Sequence, residues 1–332
     1  MTTSKRWRRR LGRVALGLGV LLLAGAILEQ VGAWRDLRRF PPAGNLVDLG
    51  DGRRMYLDCR GSGSPTVLLE AGYLNWSPTW TLVQPEVAKL TRVCSYDRAG
   101  LGSSDPGPRP RVVTEVNADL ERLLARAGVA PPFVLVGHSA GGMYQRLFTV
   151  AHREGVVGMV QIDSNQPTDE ADRLSVVNAE DERRTGAVLT ALVYSGVFRF
   201  VVQVLGIEVG GPESARYPEE ARVRMRARMT RLARSMNDEW VLYRSAYATV
   251  PNDPLGALPL VVIAAFGYRP EEADRADWRA RQTALAGLST KGRLVVLEHQ
   301  AHLVPLLEPD VVVTAIREVV EAARAPSMEP AR

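Results

Sequence analysis

Cysteine and histidine are scarce in this chain, with two and four respectively in 332 residues. Two cysteines allow one disulfide at most, so no framework of bridges holds the fold together. Cys59 and Cys94 each lie in a strand-like run and read as small buried apolar side chains. A disulfide between them is open only if those strands are neighbours in an oxidising compartment. Acidic residues are missing altogether before Glu29, whereas Lys5, Arg6, Arg8, Arg9, Arg10 and Arg13 are all basic. Taking those six from a net charge of +5 leaves the rest of the chain at −1. Basic residues interleaved with aromatics are also missing, which argues against a nucleic-acid partner. Apolar residues are not scarce. At 46% hydrophobic and 24% charged, the composition is that of a globular protein rather than a disordered chain.

The acid-free stretch contains an uncharged run at residues 14–28, continued past Glu29 and Gln30 by Val31, Gly32, Ala33 and Trp34. A full span needs about 20 apolar residues, and the continuation together with Leu11 supplies the difference while Arg13 extends its charge to the interface. The segment reads as a membrane anchor. Ala24-Gly25-Ala26 is also an acceptable A-x-A cleavage site, so a removed signal peptide is the alternative. Because the cations lie on the N-terminal side, the bulk of the chain is expected outside the cytoplasm, anchored or secreted.

Past the Pro41-Pro42 linker, strand signals near residues 46–49, 53–59 and 66–71 are punctuated by Gly, Ser and Pro. From residue 91 strands alternate with helices: a strand at 91–96, a helix near 113–127, a strand from Phe133, a helix to about His152 and a strand at 157–162. Such alternation implies βαβ units and a mostly parallel sheet. About 95 residues of helical periodicity then intervene before strands return at 258–264 and 292–297, with a last helix near 309–323. The interruption reads as a helical lid. Within it, Met225, Met229, Leu232 and Met236 fall at helical spacing, more in keeping with packing than with a substrate wall. The apolar stretch 187–205 reads as a lid helix rather than a second membrane span, because it contains Gly196, Arg199 and Gln203. The expected division is anchor or signal and linker at 1–40, core at 41–163 and 259–325, and lid at 164–258.

Between the strand from Phe133 and the following helix stands Gly137-His138-Ser139-Ala140-Gly141. A chain turning sharply from strand to helix needs residues without Cβ on both sides, and the glycines supply them. Ser139 is the candidate nucleophile. A serine hydroxyl needs a base to take its proton. His138 adjoins Ser139 and His152 ends the next helix, so neither is placed to approach from a separate loop. Of the other two, His302 lies in a loop that can swing over the sheet edge, whereas His299 ends a strand, and the two make only a weak H-x-x-H metal pair. Asp163, at the end of the 157–162 strand, is the expected acid that orients His302. The group Glu271, Glu272, Asp274 and Asp277 after the next strand is the alternative. Negative charge developing on a carbonyl oxygen needs fixed N–H donors, for which Ala140 and Tyr73 are the candidates. Tyr73, Leu74 and Trp76 line a pocket or simply pack.

These residues resemble the α/β-hydrolase fold superfamily, in particular its lid-bearing serine hydrolases, over about residues 40–325. The second specific signal is Asp97-Arg98-Ala99-Gly100-Leu101-Gly102-Ser103-Ser104, similar to that family's D-R-x-G-x-G-x-S turn, where it is structural. It lacks the third glycine of a dinucleotide fingerprint. The resemblance implies an α/β architecture with an eight-stranded, mostly parallel sheet, a lid between strands six and seven, and roles for Ser139, His302, Ala140 and Tyr73 as assigned above, without cofactor or metal. No obvious Asp directly follows the seventh strand, which is why Asp163 is preferred as the acid. It also implies a small-molecule ester as substrate, lipophilic esters included. Acyl transfer, C–C bond hydrolysis and non-catalytic ligand sensing are the alternatives on the same fold. Glu70-Ala71-Gly72 departs from the common His-Gly before the oxyanion loop.

Overall fold

The computed structural model describes residues 3–109, 111–177, 188, 191–201 and 212–325. Eight strands form one sheet: β1 (Asn45–Asp48), β2 (Arg54–Arg60), β3 (Thr66–Glu70), β4 (Val93–Tyr96), β5 (Phe133–His138), β6 (Val156–Ile162), β7 (Leu260–Ala265) and β8 (Gly292–Leu297). Their spatial order is β1-β2-β4-β3-β5-β6-β7-β8. The β1–β2 and β2–β4 pairings are antiparallel, and all others are parallel. The mostly parallel eight-stranded sheet is the one expected.

Among the described residues, the α-helices of four residues or more are, in chain order, α1 (Thr3–Arg39), α2 (Gln84–Val87), α3 (Val113–Arg126), α4 (Ala140–Ala151), α5 (Glu170–Val177), α6 (Glu219–Thr249), α7 (Glu272–Ala286), α8 (Val304–Leu307) and α9 (Pro309–Arg324). Central strands are covered on both faces, which is why they read as continuous apolar runs instead of alternating ones. Side chains still alternate along each strand. Leu68, Leu135, Met159 and Val262 meet Leu120 and Leu123 of α3, Phe148 of α4 and Leu285 of α7. On the other face, Val67, Leu69, Val134, Val136, Val160 and Ile263 meet Val312, Ile316 and Val319 of α9. This two-sided core fixes the carboxyl ends of the parallel strands, from which the loops that carry chemistry in such sheets emerge.

Helices α5 and α6 occupy the interval between β6 and β7. Met225, the first residue of the methionine stripe, packs beside Tyr217, Ala221 and Leu306. Of the apolar stretch 187–205, residues 188 and 191–201 are described and include the helical turn Val197–Arg199. The rest of that stretch, like the chain after residue 325, lies outside the described residues. Among the described residues, one helix, α1, is long and apolar enough to cross a membrane. Its leucines 16, 18, 21 and 28 are exposed. At its C-terminal end Glu29 and Asp36 accept from Arg199 at 2.8 and 2.6 Å.

The cysteines are not free thiols. Cys59 and Cys94 stand opposite each other in the antiparallel β2–β4 register and are joined by a disulfide. The pairing follows from β4 inserting between β2 and β3, an adjacency that no local pattern announces. Replacing both cysteines by alanine is expected to lower stability by ~2–4 kcal/mol. The check is the urea midpoint of the detergent-solubilised protein with and without reductant. Equal midpoints for oxidised and reduced wild type would show that the bridge adds nothing.

Candidate active site

The turn at the end of β5 holds Ser139 at φ 53°, ψ −124°, a left-handed backbone that a non-glycine residue adopts only under strain. Strand pairing and helix packing supply the constraint. Ser139 N–H donates to Ile162 O of β6 at 2.9 Å, and Ser164 Oγ donates to Ser139 O at 2.9 Å. The approach of α4 to β5 is close, since a Cβ on Gly137 would lie 2.5 Å from Gly142 Cα. Ser139 is 8% exposed and stands at the N-terminus of α4. Ala140 opens that helix, and its N–H has no acceptor within the helix.

Asp163 follows β6 immediately and has no exposure. Its Oδ2 accepts from His302 Nδ1 at 2.6 Å and from Tyr268 Oη at 2.7 Å. Its Oδ1 accepts from Ala265 N–H at 2.9 Å and from Trp278 Nε1 at 3.0 Å. Burial pushes this carboxyl upward, but the hydrogen bonds from His302, Ala265 and Tyr268 and the His302 charge outweigh it and hold Asp163 below its ordinary value. A carboxylate so held stays ionised at neutral pH.

The structure thus brings Asp163 and His302 together, and the alternative acids go elsewhere. Asp274 pairs with Arg269 at 2.8 Å, Asp277 with Arg281 at 2.6 Å and Glu272 with Arg275 at 3.9 Å, while Glu271 stands at the N-cap position of α7 without a side-chain capping bond. None of the four hydrogen-bonds His302. His299 is exposed, and His152 bonds Glu121 at 2.8 Å. The His302 side chain is about two-fifths exposed. Among the described residues Ser139 Oγ makes no hydrogen bond. Contacts of this kind often tighten only when substrate binds.

His138 has a part that its position in the pentapeptide does not suggest. It is fully buried, and burial, reinforced by the His302 charge, lowers it to about 3, so the ring is neutral. Facing His302 O at 2.9 Å, a neutral ring must carry its proton on Nε2 and donate it there. The loop bearing His302 is therefore tied at its backbone by His138 and at its ring by Asp163.

The loop after β3 runs over the serine. A Cβ on Gly72 would lie 3.0 Å from Ser139 Cβ, so Tyr73 enters the site directly after this close approach. Tyr73 packs against Trp240 and Tyr243 of α6 at 6.1 and 5.8 Å between ring centroids, and Trp76 is buried. Arg98 lies beneath the loop with both ends of its guanidinium occupied. Its partner Glu70 is fully buried, and burial pushes that carboxyl up to about 7 against the pull of Arg98. Sequence reasoning missed Arg98, Tyr268 and Trp278 as parts of this centre. The one signal for Arg98 was Glu70 itself, a charge closing the apolar run of β3 that has to find a buried partner.

A family model described as the alpha/beta hydrolase family matches residues 20–315. An AB hydrolase superfamily protein of Gibberella zeae is 26% identical over 308 residues, covering 84% of this chain and 94% of that protein. Among solved structures, a thermophilic esterase from Thermogutta terrifontis superposes with a TM-score of 0.60 at 20% identity, covering 82% of this chain and 95% of that one. The enol-lactonase from Burkholderia xenovorans superposes with a TM-score of 0.56 at 17% identity, covering 82% and 98%. At those identities the two structures share the fold with this chain.

Protonation of His138 gives a stability signature. The folded protein keeps the ring neutral to about pH 3, whereas the unfolded chain takes a proton near the ordinary value of 6.5. Between those limits the unfolded state binds more protons at this site, so the His138 contribution is full above about pH 6.5 and is lost as pH falls. Between pH 7 and pH 5 that loss is expected to be ~2 kcal/mol, and it is opposed by Glu70, which burial raises to about 7 so that the folded state takes its proton first. His138→Gln should therefore gain ~2 kcal/mol relative to wild type between pH 7 and pH 5, which urea midpoints of both proteins at the two pH values measure. Equal slopes in the two proteins would remove His138 as a source.

Proposed function

The chain belongs to the alpha/beta hydrolase family, and on that premise we propose that it is a serine hydrolase cleaving a carboxylic ester through an acyl-Ser139 intermediate. The observation that carries this reading is the 2.6 Å pairing of His302 Nδ1 with buried Asp163, on the sheet edge where the strained turn presents Ser139. His302 donates its Nδ1 proton to Asp163, which leaves the Nε2 lone pair to take the proton of Ser139 Oγ. Oγ attacks the ester carbonyl carbon, and the carbonyl oxygen becomes an oxyanion facing the N–H groups of Ala140 and Tyr73. When the C–O bond to the alcohol breaks, His302 returns its proton to the leaving alkoxide. Water then repeats the cycle, losing a proton to His302, and its oxygen ends in the released acid. The partial exposure of His302 leaves water a path to the acyl-enzyme.

In the same reading the interval between β6 and β7 is a lid, with α6 supplying Trp240 and Tyr243 beside Tyr73. Helix α1 anchors the chain with its cations on the cytoplasmic side, and the remainder lies outside the cytoplasm. The Cys59–Cys94 bridge supports that placement, since disulfides persist in oxidising compartments.

A fluorophosphonate probe applied to membranes is expected to label the wild type and to leave Ser139→Ala unlabelled. With p-nitrophenyl esters, Asp163→Asn should lower kcat by about 10⁴-fold, whereas Glu271→Gln should leave it within twofold. Labelling that persists in Ser139→Ala would sink the nucleophile, and an active Asp163→Asn would return the acid to the loop after β7.

A further inference from the structure

Arg98 lies in the turn after β4 and is 2% exposed. Its Nη1 donates to Glu70 Oε1 and to Ala71 O, both at 2.6 Å, and its Nη2 donates to Gly72 O at 2.8 Å. On the far side, Nε donates to Glu239 Oε1 of α6 at 3.1 Å, and Nη2 also meets Glu239 Oε2. The ring of Tyr144 closes over the guanidinium at 5.0 Å. Glu239 Oε2 in turn accepts from Leu74 N–H at 3.3 Å. The fork therefore grips carbonyls on two successive residues of the loop, and its own counterion holds the N–H that follows.

The carbonyl of Gly72 and the N–H of Tyr73 belong to one planar peptide unit. In the trans form they point in opposite directions. A fixed donor on Gly72 O therefore fixes the direction of the Tyr73 N–H. The same hydrogen bond polarises the amide and makes that N–H a stronger donor. Within the turn Gly72 O also accepts from Asn75 N–H at 3.1 Å, so Arg98 is the second donor on this carbonyl and the one that ties the unit to the core.

We propose that Arg98 is the positioning residue that aims the Tyr73 N–H at the oxyanion, and that Glu239 makes this aim conditional on α6 being seated on the core. The inference rests on the serine-hydrolase reading above. Glu239 comes from the insertion, whereas Ala71, Gly72 and Leu74 belong to the core loop. Withdrawal of α6 takes away the carboxylate that completes the guanidinium and holds Leu74, so the second oxyanion donor forms only in the closed arrangement. Lysine cannot replace the fork, because a single ammonium lacks the planar geometry that engages both carbonyls and both carboxylates.

The test uses the full chain in detergent micelles with p-nitrophenyl butyrate, comparing wild type, Ser139→Ala, Arg98→Lys and Glu239→Gln. Arg98→Lys is expected to lower kcat about 10²–10³-fold, the effect of losing one oxyanion donor, with KM within threefold of wild type. Inhibition by an aryl trifluoromethyl ketone, whose adduct with serine carries an oxyanion, should weaken by the same factor. Glu239→Gln keeps an acceptor for Leu74 but loses the charge, and should lower kcat about tenfold with the same parallel loss of inhibition. A parallel loss in both variants supports the assignment, because a general loosening of the fold would not track the transition-state analogue with KM unchanged. If kcat is unchanged in Glu239→Gln, or the loss in either variant falls on KM alone, the assignment is overturned while Ser139-dependent turnover of the wild type stands. If wild-type turnover does not depend on Ser139, the serine-hydrolase reading fails first.

Discussion

A carboxylate with no exposure must be met on every side, and Asp163 is met by the whole C-terminal half of the molecule. Its four donors come from β7, from the loop after β7, from α7 and from the loop after β8. Each donor offsets part of the cost of burying the charge, and removing one leaves that part exposed. The position of His302 is therefore a consequence of sheet order. Only because β6 and β7 are neighbours, with β8 beyond, can a side chain at the end of one strand collect donors from segments a hundred residues away. Left-handed φ values at both Ser139 and Asp163 fall at the ends of adjacent strands, where the sheet overrides local preference.

The N-terminal half has a node of opposite sign. Arg98 gathers Glu70, two loop carbonyls and Glu239, so one cation is surrounded by acceptors as Asp163 is by donors. The two nodes flank the serine turn on either side of β5. In the proposed mechanism one holds the base and the other holds the oxyanion loop, which leaves Ser139 between elements that are each fixed by a buried charge. The D-R-x-G-x-G-x-S turn that brings Arg98 here is itself held through Asp97, whose carboxylate accepts from Ser77 and Ser103 N–H at 3.0 and 2.8 Å.

The sheet was legible in the sequence because parallel strands buried on both faces must be apolar throughout, and 66–71, 157–162 and 258–264 have no other use for such runs. The strained turn at Ser139 was legible from its flanking glycines, and the nucleophile and base of the proposed mechanism, Ser139 and His302, were chosen by elimination among few candidates. The pairing of His302 with Asp163 was legible only as one of two options, from the place of Asp163 at a strand end. The disulfide was not, because it depends on strand order, and β4 lies between β2 and β3 through a crossover that neither cysteine's neighbours encode. The contacts of Arg98 were not legible either. Glu239 sits among the many charges of an arginine-rich helix, and only the packed structure distinguishes the one carboxylate that turns inward from those that stay in water.

Helix α6 connects regions that the sequence keeps far apart. Near its start, Arg224 and Arg228 donate to the carbonyls of Pro41 and Phe40, the linker that follows α1. Eleven residues after Arg228, Glu239 meets Arg98 and Leu74. At a rise of about 1.5 Å per residue, this is a rod of roughly 16 Å with the linker at one end and the loop after β3 at the other. A continuous helix does not shorten or bend without breaking hydrogen bonds, so displacement at the linker end is carried to the Glu239 end. In a chain anchored through α1, the seating of α6 would then depend on where the linker leaves the membrane, and the second oxyanion donor would depend on that seating. The anchor would set the geometry of the chemistry as well as its address.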